Sequence, residues 1–236
     1  MTQDPSFQEP DRPPTPSDVD RPLFSSRASM LFRWGLIGAV VLVTASGIVA
    51  PAYFHSASWE GIGFAPAQPL PFSHELHAGE LRIDCRNCHA TVETSAFAGL
   101  PATETCMACH SQLLTPASAL QPLMASDAYR MPLQWVRVTR LPDHVYFDHS
   151  IHVGKGVSCI SCHGEVGKMA VLSQREALTM RWCLDCHRNP GPRLTSSRGI
   201  FAATMPTSRS GPPPAEMLRF YHIHTENLTN CSTCHH

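Results

Sequence analysis

From Trp34 to Phe54 the chain runs WGLIGAVVLVTASGIVAPAYF, twenty-one positions without a charged side chain. A helix of that length crosses a hydrocarbon layer of ~30 Å, so the pattern predicts a transmembrane helix over residues 30–54. A cleaved secretory signal is the competing reading. Signal h-regions run only ~7–15 residues and lie near the start of a chain. Here the apolar run begins at Trp34, and Ala50-Pro51-Ala52 is a poor small-residue cleavage site, so the span is read as an uncleaved anchor. Residues 1–29 hold Pro5, Pro10, Pro13, Pro14, Pro16 and Pro22 among Asp, Ser, Thr and Gln. That composition cannot bury enough apolar surface to order itself, and it predicts a disordered tail. Residues 55–70 read as a linker to a domain over 71–236.

Within that domain the apolar positions come in short runs. Gln134–Thr139 alternates and predicts a short strand before Pro142. Glu176–Met180 predicts a helical lead into Trp182. Residues 190–214, rich in Gly, Pro and Ser, predict a long loop, either a contact arm for another subunit or an irregular cover over the domain.

Charge orients the span. Arg21, Arg27 and Arg33 precede it, and no Lys or Arg follows until Arg82. The positive-inside bias puts the tail in the cytoplasm and residues 71–236 in the periplasm of a bacterial inner membrane. A net charge of −1 over 236 residues offers no basic patch for nucleic acid. Only 8% of residues are aromatic, while 21 are Pro and 10 are Cys, a poor stock for a conventional core of this size.

The cysteines change the picture. All ten fall in C-x-x-C-H: Cys85-Cys88-His89, Cys106-Cys109-His110, Cys159-Cys162-His163, Cys183-Cys186-His187 and Cys231-Cys234-His235. On one helical turn, residues i, i+3 and i+4 share a face. Two sulfurs and one imidazole can therefore meet a single porphyrin, the pattern of covalent c-type haem (heme c) attachment. Ribbon-type zinc sites use C-x-x-C in twos; five such motifs leave one stranded, and zinc has no use for a His after every second Cys. Five haem c groups are expected, with short helices and irregular segments wrapped around them.

The exported part is an internal repeat. Phe72-Ser73-His74, Phe147-Asp148-His149 and Phe220-Tyr221-His222 precede Cys85, Cys159 and Cys231 by 11, 10 and 9 positions counted from the His. Cys85 to Cys159 is 74 positions, Cys159 to Cys231 is 72, and Cys106 to Cys183 is 77. The period of ~75 residues divides the domain into repeats at about 71–145, 146–215 and 216–236. A low-spin haem iron needs a second axial ligand. His74, His77, His149, His152 and His222 supply five candidates, with His224, Met131, Met169 and Met180 as alternatives. His74, His149 and His222 are assigned to the haems on Cys85, Cys159 and Cys231. His77 and His152 go to those on Cys106 and Cys183, in an order the sequence leaves open. His55, His144 and His236 are read as surface or hydrogen-bonding side chains.

With both axial positions filled there is no site for substrate, so the expected role is one-electron relay and not catalysis. The opening Pro-Leu-Pro-Phe-Ser-His-x-x-His closely resembles the membrane-anchored pentahaem cytochrome c subunit of Alternative Complex III. So do Cys-Met-Ala-Cys-His, Leu-Pro-Asp-x-Val-Tyr-Phe-Asp-His-Ser-x-His and Leu-Thr-Met-Arg-Trp-Cys-Leu-Asp-Cys-His-Arg, over about residues 60–236. The resemblance implies membrane partners: an iron-sulfur subunit related to molybdopterin oxidoreductases, polytopic quinol-binding subunits and a monohaem cytochrome c. It implies electron flow from quinol toward a cytochrome c or terminal oxidase. A stand-alone anchored carrier and a multihaem reductase of a small inorganic substrate are the other classes considered.

Overall fold

The computed structural model describes residues 25–115, 117–205 and 211–235. Contacts divide the chain into two units, Met1–Phe54 and His55–His236. The first is built on α1, Ser26–Phe54, 29 residues with no charged residue in its last turn and a length of about 43 Å. It is long and apolar enough to cross a membrane. It starts earlier than the hydropathy suggests because Ser25 Oγ accepts from the Ala28 amide at 3.3 Å, an N-cap that draws residues 26–29 into the helix. The rest of the predicted tail, residues 1–24, lies outside the described residues. The Thr44 hydroxyl, in the middle of the apolar run, donates to the Val40 and Val41 carbonyls at 2.9 and 3.0 Å, so it carries no unmet donor into an apolar surrounding.

The second unit is a succession of short turns, and among the described residues it contains no β-strand, only the isolated bridges Val145↔His235 and Val157↔Leu194. The strand expected at Gln134–Thr139 does not form. Gln68 takes the place of a partner strand: its Nε2 donates to the Val136 carbonyl at 2.9 Å and its Oε1 accepts from the Val136 amide at 3.0 Å. The same bonds correct the reading of 55–70 as a free linker. Gly63 donates to Gln174 O at 2.8 Å, Gln174 donates to Phe64 O at 3.0 Å, and Leu70 is buried, so this segment is stitched onto the unit it leads into.

Side-chain caps place the motif-bearing helices. Helix α2, Thr103–His110, carries the second motif. It is held by α3, Gln121–Tyr129, whose buried Ser126 shares a 2.6 Å hydrogen bond with Thr103 and donates to Met131 O at 2.6 Å. Helix α3 opens on Pro122 and ends on Arg130 at φ 52°, a left-handed stop. Helix α4, His149–Gly154, starts where Asp148 accepts from the Ser150 amide at 2.8 Å. Helix α5, Ile160–His163, carries the third motif. Helix α6, Met180–Arg188, carries the fourth and begins at Met180, not at Glu176: Thr179 caps it by accepting from the Trp182 amide, and Leu178 at φ 50° breaks any earlier helix. Glu176 instead accepts from Trp182 Nε1 at 2.8 Å.

The expected loop at 190–214 is partly structured, with a turn at Gly191–Arg193, then α7, Ser197–Ile200, and the start of α8, Pro214–Phe220; residues 206–210 lie outside the described residues. Its first half packs inward. Ile200, Val92 and Val153 form the buried apolar cluster, with Ala98 and Phe201 against it. The last motif sits on α9, Cys231–Cys234.

The two full repeats interlock through glycine. A Cβ on Gly79 would fall on the Gly167 carbonyl oxygen, and Gly167 itself donates to Ala203 O at 2.9 Å. Buried hydrophobics among the described residues are few: Leu70, Val92, Leu123, Val138, Val153, Ile200 and Met217. So thin a protein core suits a fold built around large apolar cofactors.

Candidate haem centres

Each motif closes as one helical turn. His89 donates to Cys85 O at 2.8 Å, His163 to Cys159 O at 2.9 Å and His235 to Cys231 O at 3.0 Å, while the second and fourth motifs lie inside α2 and α6. All ten cysteines are free thiols. Burial raises the thiol pKa of Cys88, Cys106, Cys183 and Cys186, and pushes that of Cys162 up to about 12.

The upstream histidines are set by a device used twice. In the first repeat Ser73 accepts from the Leu76 amide at 3.1 Å and opens the π-helical turn Glu75–Glu80. In the second, Asp148 opens α4. The middle residue of Phe-x-His is thus the N-cap, and it throws the two histidines of His-x-x-His onto one face. Phe72 meets His74 edge-on at 4.9 Å and stacks on His77 at 4.5 Å; Phe147 repeats this with His149 at 4.8 Å and His152 at 4.6 Å.

Two imidazoles bound through Nε2 to opposite sides of one metal ion, with bonds of about 2 Å, have ring centres about 6 Å apart. The structure holds His77 and His110 at 6.2 Å, His149 and His163 at 6.3 Å with planes 7° apart, and His152 and His187 at 6.3 Å. In five of these six rings Nδ1 is engaged elsewhere, leaving Nε2 as the free nitrogen. His77 bonds Ser73 O, His110 bonds Leu113 O, His149 bonds Ala96 O, His152 bonds Asp148 O, and His187 bonds Leu228 O, at 2.7 to 3.2 Å. His89 likewise bonds Gly99 O at 2.7 Å.

His74 is half-buried, its Nδ1 buried and unpartnered, and desolvation, then the neighbouring His89 and His77, lower its pKa to about 4. His163 is lowered to about 4 by burial, then by His149, His89 and His74. His152 is lowered as well, first by desolvation. Imidazoles kept neutral in this way are in the form that binds metal. Among the described residues no three His, Cys, Asp or Glu side chains group as a protein-only metal site. The donors come as facing pairs plus two thiols, the set a covalently held haem takes, and the residues fit that group.

The third repeat departs from the first two. Tyr221 cannot cap, α8 runs up to Phe220, and the chain turns at His222 with φ 50°. Tyr221 packs over Gly156, where a Cβ would collide with its ring, and its hydroxyl donates to Thr195 O at 2.8 Å. Phe220 is exposed. The ring against His235 among the described residues is that of His144, 5.6 Å away and 20° from parallel, and His144 O meets His235 Nδ1 at 3.3 Å. His144, read from the sequence as a surface or hydrogen-bonding side chain, thus meets a histidine 91 positions away. Met131 and Met180 are exposed, and Met169 packs beside Gly164.

Over 97 residues the chain is 34% identical to the multiheme cytochrome c subunit of menaquinone reductase from Nitratidesulfovibrio vulgaris. The match covers 41% of this chain and 45% of that protein, under half of either. No protein-family model matches the chain. The likeness is to a multihaem cytochrome c.

Proposed function

We propose that this chain is an electron-relay subunit anchored in the bacterial inner membrane. It holds five haem c groups on the periplasmic side of a quinone-linked oxidoreductase, of the Alternative Complex III kind. The observation that carries the reading is the set of facing imidazole pairs at 6.2–6.3 Å, each joining a motif histidine to one upstream of a motif. When bound, haem c supplies a one-electron ferric/ferrous couple. The chain's residues do the rest. The cysteine pairs fix each macrocycle in place. His77 with His110, His149 with His163 and His152 with His187 would hold the groups at the second, third and fourth sites, and His74 with His89 that at the first. Carbonyl bonds to Nδ1 orient the rings and raise their basicity.

In this reading α1 is the anchor, Arg21 ahead of it and Arg27 and Arg33 in its first turns stay on the cytoplasmic side, and electrons pass from quinol toward a cytochrome c or oxidase. The partners are an iron-sulfur subunit, polytopic quinol-binding subunits and a monohaem cytochrome c. The relative's name supports a second direction, in which a like relay delivers electrons to menaquinone. The experiment is purification in mild detergent, with intact mass and identification of co-purifying subunits. Five haem masses on the chain and polytopic companions reducible by quinol support the proposal. A chain purified alone, or one without covalent haem, refutes it.

A further inference from the structure

The spatial order of the five sites does not follow their order in the chain. Phe72 touches both His74 of the first site and His77 of the second, so these two sites share one turn. Phe147 joins the third and fourth sites through His149 and His152 in the same way. The repeats then meet at their first members. Cys85 Sγ reaches Phe201 O at 3.6 Å while the Cys159 amide donates to the adjacent Ile200 O at 3.0 Å, so both first cysteines lie on the same stretch of backbone. His149 Nδ1 donates to Ala96 O at 2.8 Å, in the loop that follows the first motif. The fifth site adjoins the fourth: His187 Nδ1 donates to Leu228 O at 2.8 Å, just ahead of Cys231.

Exposure agrees independently. The exposed cysteines are Cys109 and Cys231, and the other eight are half-buried.

Resting on the haem reading above, we infer that the sites stand in the order second, first, third, fourth, fifth. The relay then has its two ends at the turns carrying His110 and His235, and its centre where the first and third sites meet across the repeat boundary. Electrons enter at one of these exposed ends and leave at the other, so the chain's redox partners dock beside Cys109 and beside Cys231.

The test uses the full membrane protein, matured with haem, and two variants. One carries Cys85→Ala with Cys88→Ala, the other Cys106→Ala with Cys109→Ala. Intact mass first counts haems: a wild-type chain without five refutes the haem reading itself, separately from the order. Electron paramagnetic resonance of the oxidised protein then reads neighbours. Disabling the first motif strands the second haem, so one uncoupled low-spin ferric signal, a single spin among the haems left, is expected. Disabling the second motif leaves the rest contiguous, with no such signal. An isolated signal from the second variant, or from neither, overturns the order. Should either variant lose further haems, His77→Met and His149→Met replace them in a redox titration, since an axial thioether raises the potential of its own haem. The end site is expected to shift one other component and the interior site two; equal numbers overturn the order.

Discussion

Gly79→Ala probes the joint between the repeats. The added Cβ would fall on the Gly167 carbonyl oxygen. That oxygen belongs to backbone pinned by the Gly167 to Ala203 hydrogen bond at 2.9 Å, beside the bond from Glu75 N to Met169 O at 3.0 Å, so it cannot swing aside as a flexible side chain would. Overpacking of this kind costs about 1–3 kcal/mol. In a domain of this size each kcal/mol lowers the midpoint by about 2–4 °C, so a fall of about 4–8 °C is expected at the middle of the range. Gly154→Ala is the control: nothing lies within 4 Å of its Cβ, and in the last turn of α4 alanine is neutral or slightly stabilising. Thermal melts of the detergent-solubilised, haem-loaded protein, followed by circular dichroism in the Soret region, give both midpoints, with intact mass confirming equal haem content. Equal midpoints for the two variants would refute the reasoning. A fall with haem loss limited to the fourth or fifth site would refute the location, since Gly79 lies on the turn that carries His77 and packs against the segment that follows His163.

Three further outcomes are expected. Replacing His77 or His152 by Ala removes one imidazole of a facing pair; each variant should gain a high-spin absorption component for one haem, and an unchanged low-spin spectrum would show that the ring is not a ligand. At the fifth site His144→Ala should perturb the spectrum more than His222→Ala, because the His144 ring lies 5.6 Å from His235; the reverse ranking would restore His222. Removal of residues 1–54 should release the rest of the chain from membranes into a carbonate wash, and retention by the membrane would argue against α1 as the anchor.

The attachment turns and the repeat were readable in the chain because both are written in local spacing: C-x-x-C-H on one turn, and Phe-x-His-x-x-His at a constant offset from it. The helix from Ser26 was readable from an uncharged run, though its start was set by Ser25. What was not legible depends partly on a contact far apart in sequence and partly on the backbone and capping at single positions. Gln68 occupies the hydrogen-bonding groups of Val136, so an alternating segment stays strandless. Thr179 and Leu178 shift the start of the fourth-motif helix to Met180. Tyr221 stands where Ser73 and Asp148 act as caps, and it withholds the helical turn from the third repeat.

Among the described residues the buried apolar side chains are seven, a small stock for a domain of this length. On the haem reading proposed above, the polypeptide would stay open and supple until its cysteines had reacted, leaving every one of them accessible. Compaction and loading would then be a single event, and a chain that missed a cofactor would be left loose.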